Sequence, residues 1–374
     1  MILKYSVGLD ISAKEIHSCI SSIDSEQTVK VIRSKKFANS LHGHKELATW
    51  MDTCCVLEEI PLVVTMEATG IYHESCALYL YENNYRVCIV LPNKAKKYIQ
   101  AIGIKSKNDP IDARGLSQMG AEQNLELWKP MGKYFYQLRE LTRQHQSIQE
   151  LLTSVQNQLS AASRGMYLNE FVIQQLEQTV HLLKDQRNSL EKEISNHFQR
   201  NVEVAKKVEN ICSIKGVSIL TVAVILAETN GFALFRNKRQ LVSFAGYDVM
   251  ESQSGSRVGR TKISKKGNGR IRRILHMPAF NVVRFEQTAF VKLYQRTLNK
   301  HNIKMKSYVA VQKKLLTTIY TLWKKNESYD NQYYTRNMGQ KETASNNLEK
   351  NYKNSANNIV GTTQGSHTII PVTV

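Results

Sequence analysis

No stretch of this 374-residue chain reaches the roughly 18–20 consecutive apolar residues that a membrane span needs, which excludes an integral membrane protein. The opening segment Met1–Ser12 lacks the long apolar run and the small-residue cleavage site of a secretory signal, so a cytoplasmic protein is expected. Cysteine is sparse. Cys19, Cys54, Cys55, Cys76, Cys88 and Cys212 form no Cys-x-x-Cys pair and no Cys/His set at zinc-ligand spacing. Neither a disulfide scaffold nor structural zinc is therefore expected, and the usage suits a reducing compartment. Acids almost vanish from one region: between Arg257 and Lys314 there are sixteen Lys/Arg and a single acid, Glu286. That stretch supplies +15 of a formal net charge of +19, so the charge is local and points to a polyanion. Nucleic acid is the partner it implies; an anionic membrane is disfavoured because no amphipathic anchor accompanies the charge.

What is present divides along the chain. Residues 1–125 alternate between strand and helix patterns. Tyr5–Ile11, Ile16–Ile23 and Thr28–Ile32 read as three consecutive strands, the third broken by Lys35 and Lys36. A helix is expected over Ser40–Met51, a buried strand over Pro61–Met66 ending at Glu67, a helix from Gly70, and a fifth strand over Tyr85–Leu91. This order predicts a mixed sheet flanked by helices. From Tyr134 the period changes. Leu138, Leu141, His145, Ile148, Leu152, Val155, Leu159 and Ala162 recur at steps of three and four, and the pattern resumes from Ile173 to Ile194 after Arg164-Gly165. Two long helices follow from it, as an antiparallel pair, an oligomerising coiled coil or part of an ordinary bundle. Residues 126–210 are this helical spacer, 211–325 a second, mostly helical unit, and 326–374 an Asn-rich tail expected to be disordered beyond about Tyr334.

Four carboxylates stand where elements end. Asp10 interrupts the apolar strand Val7–Ile11, and Glu67 closes another. Asp109 and Asp112 open a helix, with Asp109 as its cap, Pro110 at the first helical position and Asp112 one turn on. An aspartate inside a buried strand is costly unless it is paired or binds a cation. Taken alone, Asp109 and Asp112 are explained by capping; Asp10 is less easily explained. Together the four would repel one another unless divalent cations neutralised them. Hard ions such as Mg²⁺ take oxygen ligands, and two of them about 3.5–4 Å apart can clamp the attacking and leaving oxygens of phosphoryl transfer.

The second unit holds two further segments. Ile211–Ser218, with Lys215 and Gly216, suits a helix–hairpin–helix that offers backbone N–H groups to a phosphate. Glu251–Arg260 is a serine- and glycine-rich loop running into Lys262, Lys265, Lys266, Arg270, Arg272 and Arg273. Glycine lets the backbone approach a ligand, while Arg257, Arg260 and their neighbours neutralise phosphates. On residues alone this reads as a phosphate-binding loop in a basic field, with a nucleophilic serine as the lesser alternative. His17 and His276 read as packed histidines, and Tyr320 and Trp323, at helical spacing, as core.

The strand order with these acids resembles a RuvC-like, ribonuclease-H-type nuclease domain. Val7–Ser12, Met66–Gly70 and Asp109–Arg114 resemble more closely the DEDD transposases of bacterial insertion sequences, the one-ten group. The resemblance spans about residues 4–325, and Glu251–Arg273 is similar to that family's second domain. It implies a RuvC-like α/β domain, a coiled-coil spacer and a mostly α-helical C-terminal transposase domain. It implies that Asp10, Glu67, Asp109 and Asp112 bind Mg²⁺, with two ions expected and Mn²⁺ as a substitute. It also implies that Ser254, before Gly255, attacks a phosphodiester to form a phosphoserine link to DNA; Ser252 and Ser256 remain open as alternatives. Metal and serine would then form a composite site, assembled in dimers that pair into tetramers. Site choice would be guided by a structured non-coding RNA, the bridge RNA, in a nucleoid-associated bacterial protein. Three other readings compete: a Holliday-junction-resolvase-like nuclease using water, an actin-like kinase, whose second phosphate loop is missing, and a DNA-binding protein without catalysis.

Overall fold

The computed structural model describes residues 1–55, 59–68, 70–103, 108–251, 253–254, 257–259 and 261–333, with the backbone alone at Ser254, Arg257 and Val258. The Asn-rich tail from Tyr334 lies outside the described residues. Two units separate, Met1–Met131 and Gly132–Val374.

In the first unit, β1 (Ile2–Ile11), β2 (Glu15–Asp24) and β3 (Val29–Ala38) form an antiparallel meander. Then follow α1 (Leu41–Cys54), β4 (Leu62–Glu67), α2 (Glu74–Glu82), β5 (Arg86–Val90), α3 (Pro92–Ala101) and α4 (Asp109–Glu122). The sheet order is β3-β2-β1-β4-β5, with β4 parallel to β1 and β5 parallel to β4. This is the mixed sheet that the sequence pattern predicts, of the ribonuclease-H type that the resemblance implies.

The two faces of the sheet differ in chemistry because side chains alternate along each strand. Val7, Leu9 and Ile11 of β1, Ile16 and Ile20 of β2, and Val64 and Met66 of β4 share one apolar core with Leu47, Trp50 and Met51 of α1 and Ala77 and Leu80 of α2. The opposite face is small and polar: Ser6, Gly8 and Asp10 on β1, Thr65 and Glu67 on β4. Helix α4 packs there. A side chain at Gly8 would stand 2.0 Å from the Ala113 carbonyl oxygen and 2.2 Å from the Ser117 nitrogen, so only glycine admits this approach.

Three local expectations need correction. Lys35 and Lys36 do not break the third strand, which runs on to Ala38; β3 is the sheet edge, where charged side chains reach water. The helix expected from Gly70 starts at Glu74, after a turn in which Gly70 has φ +56°. Asp109 is not the cap of α4. Asn108 is, its side chain accepting from the Ile111 N–H at 2.9 Å, which moves Asp109 to the first helical position and Asp112 to the fourth. Asparagine caps as well as aspartate, and the shift frees the Asp109 carboxylate from backbone duty. Helix α3 was not foreseen, because its lysine-rich sequence buries only Ala95.

In the second unit, α5 (Lys133–Ala162) and α6 (Glu170–Gln199) form a helical hairpin. His145 contacts Glu191 and Tyr134 contacts His197, so numbering falls on one helix as it rises on the other: the pair is antiparallel. Ile148, Leu152, Val180 and Leu183 fill its seam, while Leu138, Ile194 and Phe198 at its base join the larger core of the unit. That core also takes α7 (Val202–Cys212), α8 (Ile219–Thr229), α9 (Lys238–Phe244), α10 (Gly269–Ile274), α11 (His276–Arg284), α12 (Thr288–His301) and α13 (Lys304–Lys325). Tyr320 and Trp323 are buried in it, as their helical spacing predicts. Between α9 and α10 lie β6 (Val249–Met250), β7 (Gln253–Ser254), β8 (Arg257–Val258) and β9 (Lys262–Ile263).

Candidate active site

Helix α4 is laid along β1 in the reverse direction, and this places the four carboxylates. Lys4 Nζ donates to the Gln123 carbonyl at 3.2 Å, and Ser117 Oγ donates to the Ser6 carbonyl at 2.9 Å. Gly120 sits over Ser6 and Thr65, and Ala113 over Gly8. One step further along β1 is Asp10, and one turn back along α4 are Asp112 and Asp109. The parallel β1–β4 register pairs Leu9 with Met66, so Asp10 and Glu67 follow each other at the ends of adjacent strands. Alternation puts both on the α4 face, with Gly8 and Thr65 respectively. Asp10, Glu67, Asp109 and Asp112 thus occupy one end of one face.

Asp10 and Glu67 are half-buried, Asp112 likewise, and the Asp109 side chain is 59% exposed. Among the described residues, no three His, Cys, Asp or Glu side chains stand close enough as placed to hold one ion between them. In kind, however, the donor set fits a hard divalent cation: four carboxylates, oxygen donors only, partly open to solvent. Soft-metal chemistry finds no such support. All six cysteines are free, and burial pushes the Cys76 thiol up to about 12 and those of Cys55 and Cys212 to about 11.

The structure adds His17 to this site. Read as a packed histidine, it is instead the residue paired with Asp10 across the β1–β2 register, and its Nε2 lies 3.6 Å from Asp109 Oδ2. Hairpin parity carries the missing signal, since residues paired across an antiparallel ladder share a face. His276 is exposed on α11 and contacts Gln312 Nε2 through Nδ1 at 3.3 Å, and Gln312 in turn accepts from the buried Tyr247 hydroxyl.

In the second unit, described parts of the serine segment pair as short strands. Val249 pairs with Ile263 and Met250 with Lys262; beyond them Gln253 pairs with Val258 and Ser254 with Arg257. Ser254 therefore stands where the inner ladder ends, facing Arg257 across it. Ser252, Ser256 and Arg260 lie outside the described residues. Lys262, Lys265 and Lys266 are exposed around the hairpin base. Lys215 is exposed in the α7–α8 turn, where Gly216 has φ +101° and packs against Asn281. Ser218 caps α8 by accepting from the Thr221 N–H.

The arginines after the hairpin, expected to bind phosphate, each also have a protein partner, and Arg270 and Arg273 remain exposed. Arg272 donates to the carbonyls of Ala245 at 2.8 Å and Gly267 at 3.2 Å. Arg273 bonds Glu150 of α5, and Arg270 lies 3.9 Å from Glu228. Glu228, which no sequence pattern singled out, is buried at the end of α8. It accepts a two-pronged contact from Arg143 at 2.9 and 3.2 Å and a bond from Asn268 at 2.7 Å. Burial alone would raise its carboxyl, but the Arg143 and Asn268 bonds and the two guanidinium charges hold it below the ordinary value. Asn268 is the cap of α10, so this buried charge fixes the chain leaving the serine hairpin.

Comparisons with known proteins bear on the family of the chain. Residues 7–167 match the IS110-type DEDD transposase family, and residues 208–295 match the Transposase IS116/IS110/IS902 family. A pilin gene-inverting protein of Moraxella bovis is 25% identical over 328 residues, covering 87% of this chain and 98% of that protein. A probable family 20 transposase of Pseudomonas aeruginosa is 22% identical over 302 residues, covering 74% of this chain and 84% of the other. Among solved structures, T. thermophilus RuvC in complex with a Holliday junction substrate overlaps 32% of this chain and 93% of its own. Its identity is 12% and its TM-score 0.24, and the strand order stands without it.

Proposed function

Because the chain belongs to the IS116/IS110/IS902 family of transposases, we propose that it cuts and rejoins DNA with Ser254 as nucleophile and Asp10, Glu67, Asp109 and Asp112 as a divalent-metal set. The observation that supports this reading is the docking of α4 on β1 through Gly8, which brings the start of α4, with Asp109 and Asp112, toward the sheet end where Asp10 and Glu67 lie. Mg²⁺ held by these residues would neutralise the charge that develops on the phosphate and would favour ionisation of the attacking hydroxyl. The serine oxygen forms the new bond to phosphorus as the bond to a DNA oxygen breaks. A later DNA hydroxyl reverses that exchange, so strands are joined without an external energy source. Arg257, paired with Ser254 across the ladder, suits the phosphate being attacked, and Arg260, Lys262, Lys265, Lys266 and Lys215 suit its flanks.

DNA is the substrate in this reading, and a structured RNA encoded beside the gene is its guide. Base pairing would then select the site while the protein grips backbone and shape. Assembly of two or four copies and a cytoplasmic, nucleoid-associated place of action belong to the same proposal. Among the described residues no helix is long and apolar enough to cross a membrane.

The test is a denaturing gel with end-labelled DNA carrying the element's ends, Mg²⁺ and the transcript of its flanking region. Wild type should give a protein–DNA adduct that Ser254→Ala and Asp10→Ala both abolish. Cutting without adduct that survives Ser254→Ala yet fails in Asp10→Ala would replace the serine by water, as in a resolvase. An adduct that persists in Ser254→Ala but not in Ser252→Ala or Ser256→Ala would move the nucleophile to that neighbour.

A further inference from the structure

The open edge of the first unit's sheet carries a second charge pattern that the proposed chemistry does not use. Strand β3 contains Lys30, Arg33, Lys35 and Lys36 and no acid, and only Phe37 of its ten residues is buried. Its far side pairs with no described strand. Val31 is 44% and Ile32 43% exposed, so this stretch of the edge strand is open to water, although α1 and α4 both reach β3.

Register connects this edge to the carboxylates. Asp10 pairs with His17, and His17 pairs with Lys36, so the three form one row across β1, β2 and β3. At about 4.8 Å per strand, Lys36 stands about 10 Å from Asp10 on the same face. Its Nζ is 2.7 Å from Glu15. Around the edge, Lys35 pairs with Ser18 and Arg33 with Ile20, which sets both on the other face, about 6.8 Å apart along the strand. There the register shifts by one residue, so that Ser21 pairs with Val31 and Ser22 with Lys30. The bulge keeps Lys30 on the same side as Arg33 and Lys35; without it Lys30 would turn to the opposite face. Among the described residues Lys30, Arg33 and Lys35 have no acidic partner, and Lys35 lies over the Phe37 ring at 4.9 Å.

We propose that the β3 edge is a phosphate track for the DNA strand being cut, with Lys36, Lys35, Arg33 and Lys30 holding successive phosphates as the strand leaves the carboxylates across His17. This rests on the carboxylates acting on DNA, as proposed above. A cut strand must extend from the scissile phosphate in both directions, and the Asp10–His17–Lys36 row is the path toward the open edge. The alternative occupant of a free edge is a second copy of the same edge. That pairing would set cations of one copy against cations of the other, which disfavours it.

The experiment compares wild type with a Lys30→Gln, Arg33→Gln, Lys35→Gln triple variant and with a charge-keeping Lys30→Arg, Arg33→Lys, Lys35→Arg variant. These side chains are exposed and outside the core, so folding is expected to persist and is checked by thermal melting. The probe is a duplex carrying one element end with its flanking DNA, bound at several salt concentrations, with ethylation interference mapping the contacted phosphates. The neutral variant should lose about 2–3 from the slope of log affinity against log salt, at about 0.7–0.9 per phosphate contact. Interference beside the cut should disappear with it, and the charge-keeping variant should restore both. An unchanged slope and footprint in the neutral variant overturn the proposal. So does a loss confined to RNA binding, or a loss of self-association with DNA contacts intact. Failure of the parent reading looks different: wild type itself would then give neither cutting nor adduct.

Discussion

At the scale of single residues, Gly8 decides how closely α4, which carries Asp109 and Asp112, approaches the strand that carries Asp10. It lies two positions before Asp10 on the same face, and the backbone of α4 occupies the space a methyl group would need. Neither the Ala113 carbonyl nor the Ser117 nitrogen can give way as a flexible side chain could. Gly8→Ala is therefore expected to push α4 off the sheet, costing about 3 kcal/mol or more of stability. It should also abolish metal-dependent cutting by carrying Asp109 and Asp112 away from Asp10 and Glu67. Thermal melting together with the cleavage gel reads both effects, and a Gly8→Ala protein of wild-type stability and activity would refute the close packing.

Among the elements, the buried Glu228 charge joins three helices of the second unit: Arg143 from α5, its own α8, and Asn268 and Arg270 at α10. Glu228→Ala leaves Arg143 and Asn268 without that acceptor and should destabilise the unit by about 3–5 kcal/mol. Glu228→Gln keeps the shape and loses the charge, for a cost of about 1.5–3 kcal/mol. The pH dependence has a definite sign. Because the folded carboxyl is held below its ordinary value, its stabilisation is fully present above the unfolded value of about 4.3 and is lost as pH falls through the folded one. Denaturant unfolding should show the gap between wild type and Glu228→Gln constant from neutrality down to about pH 5.5 and shrinking in stronger acid. A gap that is the same in stronger acid would mean that the charge contributes nothing.

For the whole molecule, the described core ends shortly after α13, where Tyr329 packs against the second unit's hydrophobic cluster. Ending the chain after Tyr333 removes none of that core. DNA strand exchange and melting temperature are expected to match the full chain; a truncated protein that folds but cannot exchange strands would give the Asn-rich tail a part in the reaction. The concentration of cations between Arg257 and Lys314 also makes DNA affinity fall with added salt, and the steepness counts the phosphates held.

Most strand and helix identities and the two long helices were legible in the amino-acid sequence, with antiparallel pairing as one of three alternatives. So was the placing of Asp10, Glu67, Asp109 and Asp112 near element ends. Alternation with period two and apolar recurrence at three and four are local properties, and acids at element ends stand out against apolar neighbours. The cap on α4 fell one residue away from the expected one because Asn108 and Asp109 offer the same capping chemistry, and only geometry separates them. Tertiary structure alone decided which residues meet. His17 joins the carboxylates through strand register, and Lys36 through the next register on. Arg270, Arg272 and Arg273 reach Glu228, the carbonyls of Ala245 and Gly267, and Glu150, partners that no local pattern announces, while Arg270 and Arg273 stay open to water. The physical reason is range. Periodicity is set by neighbours along the chain, whereas register, close backbone approach and buried ion pairs join residues far apart in the chain, Ser6 and Ser117 by 111 positions, and those are settled only when the faces pack.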